Sequence, residues 1–190
     1  MKKLLVLLLL AAISLPGLAQ TIWKADKAHT QIKFDVTHMG ISTVSGAFTD
    51  FEASLTTTKD DFSDAVFNFT AKAVSVNTGI EQRDKHLRSA DFFDVEQFST
   101  LSFKSTGLEK ISEGRYKLSG DLTLHGVTKP IQLELWHRGT ITNPKSKKQV
   151  AGFNVSGSLN RSDFAIGTKF PAEMLGEQVK LTADGEFSVE

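Results

Sequence analysis

From residue 31 onward, apolar and polar residues alternate with a period of two. In QIKFDVTH at 31–38, Ile32, Phe34, Val36 and His38 share one face, while Gln31, Lys33, Asp35 and Thr37 share the other. One dry side and one wet side mark a half-exposed strand. The pattern recurs at Val44, Gly46 and Phe48, at Phe67, Phe69, Ala71 and Ala73, at Leu101 and Phe103, and through 116–124, 131–137, 151–159 and 179–189. Eight strands are therefore predicted. Between Phe48 and Phe51 the phase slips by one residue before Ala53 and Leu55 resume it, which predicts a bulge or a corner in a long strand. Strands of this kind are antiparallel, so a two-sheet sandwich and an up-and-down barrel are the architectures to compare. Gly46, Gly120, Gly157 and Gly185 all fall on inward faces, where the chain bends or leaves room, and they favour a barrel with internal space.

Residues 77–98 break the alternation. Thr78 and Glu81 are spaced as a capping box, and Ile80 and Leu87 fall on one helical face, so a short helix near residues 78–89 is predicted to cap one end of the barrel. Leu87, Phe92 and Phe93 would press onto that end. A second break at 168–176 carries Phe170 and Met174 and would form another flap. The sequence holds 14 Phe against one Tyr, aromatic surface without hydroxyls that suits a dry interior. An eight-stranded barrel is wide enough only for its own side chains or one slender ligand, so a solid core competes with a tunnel. Small residues interleaved with the rings favour a tunnel lined by Phe34, Val36, Phe48, Phe67, Phe69, Leu87, Phe92, Phe93, Phe103, Leu122, Leu133, Phe153, Phe170, Met174 and Leu181.

Charge narrows the partners. With 22 basic and 22 acidic groups in 190 residues there is no field to attract nucleic acid. Lys2 and Lys3 precede an apolar run at 4–15, and Gly17-Leu18-Ala19 supplies the small residues a signal peptidase favours. Residues 1–19 read as a secretory signal peptide cleaved after Ala19, leaving one domain over 20–190 with a periplasmic or secreted address. Cys is absent, which excludes disulfides and an acylated N-terminal Cys. No segment of the mature chain has the length and apolarity of a transmembrane helix.

The residues assign no catalytic group, metal or cofactor. His29, His38, His86, His125 and His137 show none of the i, i+2 or i, i+4 spacings that commonly build a metal site, and there is no G-x-S-x-G elbow or phosphate-binding glycine loop. Strand phase turns His38 and His137 inward, either as hydrogen-bonded rim residues or as contacts to a polar ligand head. Arg83, His86 and Arg88 either suit the C-terminal end of the helix or ring the mouth of the tunnel, where Arg matches a phosphate or carboxylate. His38, Arg83, His86 and Arg88 are thus the candidate head-group contacts. Asn160, Arg161 and Asp163 read as an internal ion pair and turn lock.

Several strings resemble the YceI-like family: DKAHT at 26–30 leading into Phe34 and His38, Gly46 with Phe48, RDKHLRSADFF at 83–93, GDLTLHGVTK at 120–129 and NRSDFAIG at 160–167. The resemblance implies an all-β, extended lipocalin-like barrel of eight antiparallel strands in a bacterial periplasmic protein that holds a polyisoprenoid chain, with no settled catalytic reaction. The expected function is a binding or carrier protein that sequesters a polyisoprenoid, quinone or similar long-chain amphiphile. An enzyme acting on such a ligand, or a solid-cored envelope protein, remains an alternative, and long edge strands leave a homodimer open.

Overall fold

The computed structural model describes residues 20–190, so the expected signal peptide at 1–19 lies outside the described residues. The strands are β1 (Thr21–Ala25), β2 (Gln31–His38), β3 (Ser42–Phe48), β4 (Phe51–Thr57), β5 (Val66–Lys72) and β6 (Val76–Asn77). After helix α1 (Glu81–Arg88) come β7 (Thr100–Ser112), β8 (Arg115–Leu124), β9 (Val127–Thr142), β10 (Gln149–Asn160) and β11 (Leu175–Val189). Every pairing is antiparallel. Eight strands form a closed ring in the order β1-β4-β5-β7-β8-β9-β10-β11, and the ring shuts where Trp23 faces Val189 and Ala25 faces Phe187 across β1 and β11. Strands β2, β3 and β6 prolong β1, β4 and β5 beyond kinks, and the first half of β11 pairs with β2.

The eight predicted strands are therefore the eight long ribs of the barrel. Each kink has a local cause. Asp26 accepts a hydrogen bond from the Ala28 amide at 2.9 Å and caps a 3-10 turn over Lys27–His29, which separates β1 from β2. The phase slip at 48–51 is the break between β3 and β4, where Thr49 and Asp50 leave the ladder. The pattern reading missed β1, which is five residues long and inward-facing chiefly through Trp23.

The inward glycines do something other than widen the bore directly. A Cβ at Gly46 would lie 2.3 Å from the Phe34 ring, and one at Gly120 would lie 2.3 Å from the Phe103 ring. Each glycine lets a neighbouring strand's ring lie flat against the wall, which keeps that ring off the axis.

Helix α1 forms within the expected span, but the capping box does not. Gly79 has φ +79°, and the bend moves the helix start to Ile80, so Glu81 falls at the first helical position and not the third. The buried Asp84 carboxylate reaches back instead. It accepts from the Thr78 amide at 2.8 Å and from the Thr78 hydroxyl at 2.6 Å, while Arg83 Nε donates to the same hydroxyl oxygen at 2.7 Å. Among the described residues no helix is long and apolar enough to cross a membrane.

Replacing Asp84 by Ala strands two donors at this turn, each worth about 1–3 kcal/mol when buried without a partner. Urea unfolding of Asp84→Ala should show a stability loss of about 2–3 kcal/mol with an unchanged m value.

Candidate functional site

The inward side chains are packed unevenly along the axis. At the end holding the β4–β5, β7–β8 and β9–β10 connections, Trp23, Leu55, Phe62, Tyr116, Leu135, Ala151 and Phe153 are all buried. At the other end α1, the segment that follows it and the β10–β11 connection fold over the opening, and Val76, Phe92, Phe93, Phe164 and Ile166 are buried there. Between them Ile32, Phe34, Ala53, Phe69, Leu133, Val155, Leu181 and Ala183 point inward yet remain only half-buried, because they face space and not one another. That space is a cavity of about 240 Å3. An engineered apolar cavity of about 150 Å3 is large enough to stay dry and admit benzene, so this one readily takes a hydrocarbon segment.

The wall offers water little to bind. Thr30 is buried, and its hydroxyl donates to the Glu186 carbonyl at 3.5 Å. Lys33 and Asp184 border the cavity but are exposed on the outer face. Arg161 reaches the wall fully buried, with every arm taken. Its Nε donates to the Gly176 carbonyl, one terminal nitrogen to the carbonyls of Ile166 and Gly167, and the other to those of Phe170 and Leu175, at distances from 2.6 to 3.2 Å. Asp163 pairs with Lys129 at 2.9 Å. The turn-lock half of the expectation describes what Arg161 does, since one guanidinium gathers the carbonyls of the β10–β11 connection into a lid, but the expected internal ion pair with Asp163 does not form and the carboxylate beside Arg161 is that of Glu177 at 3.5 Å.

All the expected tunnel residues line this cavity except Phe170 and Met174. Phe170 stacks on the outer side of Phe92 at 5.1 Å, so it backs the wall without forming it. Met174 is 47% exposed, because its neighbour Leu175 turns inward in its place. Among the lining residues not expected, Ile32, Ile131, Val155, Leu159 and Val179 carry the same period-two phase as those named, so the signal for them was present.

The expected head-group contacts are placed otherwise. Arg83 donates to the Thr78 carbonyl at 2.9 Å as well as to its hydroxyl, and Arg88 donates to the carbonyls of Val74 and Val76 at 2.9 and 3.1 Å. Arg83 therefore ties α1 to the residue after β6, Arg88 ties it to β6 and the turn before it, and neither lines the lumen. His38 is exposed at the β2–β3 hairpin tip, because strand phase ceases to define an inside once β2 passes the rim. His86 packs edge-on against Phe92 and Phe170 and approaches Asp91 at 3.3 Å, outside the cavity lining. His137 is inward but lies at the closed end, 4.7 Å from Phe62 and 5.2 Å from Phe153, with Nε2 2.9 Å from the Thr140 hydroxyl. Burial pushes its pKa down, so the ring is neutral at pH 7. One exposed trio among the described residues, Asp26, His29 and Glu186, brings three potential metal-ligand atoms together on the outside of the barrel. Both Asp26 oxygens are already engaged by the Ala28 amide and by His29 Nδ1.

Residues 23–187 match the YceI-like domain. The chain belongs to the YceI-like family. This YceI-like chain is 34% identical over 168 residues to a UPF0312 protein of Staphylococcus aureus, covering 86% of this chain and 95% of that one. It is similar to the crystal structure of a Campylobacter jejuni YCEI protein, with 32% identity, a TM-score of 0.74 and coverage of 81% and 90% of the two chains. Burkholderia cenocepacia BcnA superposes with a TM-score of 0.77 at 16% identity over 85% and 98% of the chains. A polyisoprenoid binding domain from Saccharophagus degradans superposes at 0.64 with 15% identity over 88% and 98%. The last two bear on the fold alone. The chain is thus a YceI-like barrel around a hydrophobic cavity of a size to admit a ligand.

The closed end is anchored through the β4–β5 connection. Desolvation raises the Asp64 pKa, but hydrogen bonds from the Thr57 and Thr58 hydroxyls and the Thr58 amide outweigh it and hold the carboxyl at about 2, against 3.8 for an ordinary Asp. A carboxyl depressed in the folded state stabilises the fold above its unfolded pKa, and that contribution disappears as pH falls from about 4 to 2. Asp64→Asn should therefore lose about 1–2 kcal/mol at pH 7, with the gap to the parent closing below about pH 3 in denaturant titrations. At the lid, Arg161→Met leaves its carbonyl acceptors without their buried donor. Hydrogen exchange should show the amides of 165–176 losing protection while those of β8 and β9 keep theirs.

Proposed function

We propose that this protein is a periplasmic, non-catalytic binding or carrier protein that holds the hydrocarbon tail of a polyisoprenoid, a quinone or a similar long-chain amphiphile along the barrel axis. The observation that carries the reading is the half-buried waist. A solid-cored protein would bury Phe34, Phe69, Leu133 and Leu181 as completely as it buries Phe153 and Phe62, and this one does not. The signal-like N-terminus supports export, and a polyisoprenoid binding domain built on the same fold supports the tail chemistry. Against catalysis stands the wall itself: the one ionisable group buried along it, Arg161, is committed to backbone carbonyls.

The energetics favour a long tail. Each methylene withdrawn from water contributes about 0.8 kcal/mol, whereas association costs roughly 4–15 kcal/mol, so short chains bind weakly and long ones well. A chain drawn from a bilayer gains little hydrophobic free energy on entering an apolar tube, which leaves the shape of the lumen to select among tails.

Native mass spectrometry of protein purified from its own cell envelope, under conditions that retain lipids, should show a bound hydrophobic species. An empty protein that also fails to take up polyprenol or quinone from micelles overturns the reading. Leu133→Asn places an amide at mid-lumen without touching the packed closed end or the lid, and polyprenol affinity should fall on the order of tenfold or more with the fold intact by circular dichroism.

A further inference from the structure

The lumen ends abruptly, on a layer of rings. At the closed end Phe67, Phe153 and Phe187 face the cavity, whereas Trp23, Leu55, Phe62, Tyr116 and Leu135 stand behind them and do not. Phe153 centres that layer, edge-to-face with Phe67 at 5.5 Å, with Phe187 at 5.6 Å and with Phe62 at 5.1 Å. One inward position nearer the mouth on the same strand pair, the facing residues are Val155 and Ala183, which are only half-buried. The bore therefore passes from filled to open within a single layer.

What backs Phe153 is held firmly. Phe62 is 1% exposed and sits on the β4–β5 connection with φ +59°, a backbone region that costs a non-glycine residue on the order of 1 kcal/mol or more. The connection is tied on both sides of that strained residue: the Tyr116 hydroxyl donates to the Asp61 carbonyl at 2.6 Å, and the Asp64 carboxylate takes the Thr58 amide at 2.9 Å. Trp23 Nε1 is buried in this layer with no hydrogen-bond partner from the protein. A ring supported this way resists displacement by a tail pressing from above.

From this geometry we infer that Phe153, backed by Phe62, is the stop that sets the length of chain the lumen accepts. The inference rests on the proposed function and deepens it by naming what discriminates among tails. A tail ending at the Phe153 layer fills the bore. A shorter one leaves an empty stretch of wall, and a longer one leaves apolar carbons outside the mouth.

The test offers folded protein an equimolar mixture of polyprenols of graded length in detergent micelles and reads the bound lengths by native mass spectrometry. Phe153→Ala removes the whole ring from the floor, and Phe62→Ala lets the Phe153 ring drop back; each deepens the bore and should shift the most-occupied length upward, Phe153→Ala by about one isoprene unit. Ala183→Phe raises the floor by one layer and should shift it downward. Because the downward shift comes from filling existing space, it remains readable if a floor variant does not fold. In a Trp136→Phe background, which leaves Trp23 as the only tryptophan, tail entry past Phe153 in the deepened variants should also change Trp23 emission. Identical length distributions for the parent and all folded variants that bind overturn the stop and leave the carrier reading standing. Failure of every folded protein to bind any polyprenol overturns the carrier reading itself, and the stop with it.

Discussion

A hollow protein must close its hydrogen-bond ladder all the way round, because an open strand edge facing a hydrocarbon lumen would leave amide groups with no partner in a place that excludes water. Here the ring is shut by the short β1–β11 pairing. Toward the lid the ladder is incomplete among the described residues: β6 meets β3 only at Ala47 and Phe48, and β9 meets β10 only from Glu134 onward. Beyond these points the barrel end is covered by a helix and connections, which must satisfy their backbones by other means. Asp84 serves the Thr78 donors, Arg88 serves the Val74 and Val76 carbonyls, and Arg161 serves the β10–β11 connection. The charged side chains near the mouth that look functional in a list of motifs are thus largely accounted for by backbone that no strand can pair.

The same constraint places the stability of the fold at its ends. Most of the large side chains that are buried completely lie at the ends, Leu55, Phe62, Tyr116 and Leu135 at one and Val76 and Phe164 at the other. The waist contributes less per residue, since its inward side chains keep uncovered surface. A tail lying in the lumen would act as a removable core there, covering the surface that the protein's own side chains leave bare. Binding and folding stability would then be linked by mass action, the complex being harder to unfold in proportion to the logarithm of ligand concentration over Kd.

Most of the architecture was legible because period two is a strong signal when one face of every strand is dry. The inward phase of Phe34, Phe69, Phe103 and Leu181 could be read without coordinates, and so could the kink at 48–51. Three things could not be read. β1 is too short for alternation to stand out, and it is defined by its partners β4 and β11. The cap of α1 depends on a positive φ at Gly79, which moves the helix start by enough to retire a well-spaced capping box. The arginines were misassigned because residue type shows what a guanidinium can bind, while only the backbone path shows which carbonyls lack donors nearby. Arg161 was the exception, since its place in a turn between two strands already pointed to local use.

Shape is left as the main discriminator. A tail moving from bilayer to barrel exchanges one apolar surrounding for another, so the transfer is close to balanced and small differences in fit decide occupancy. The wall answers with rings laid flat over Gly46 and Gly120, a bore free of unengaged polar groups, and a floor that changes from open to filled in one layer. Arg161, the arginine in the lining, is committed to backbone carbonyls, and Arg83 and Arg88 direct two nitrogens each at the chain before α1, outside the lumen. On the proposed function, a barrel arranged this way would read the hydrocarbon more than the group at its end, and its selectivity would reside in how far a chain can enter before it meets Phe153.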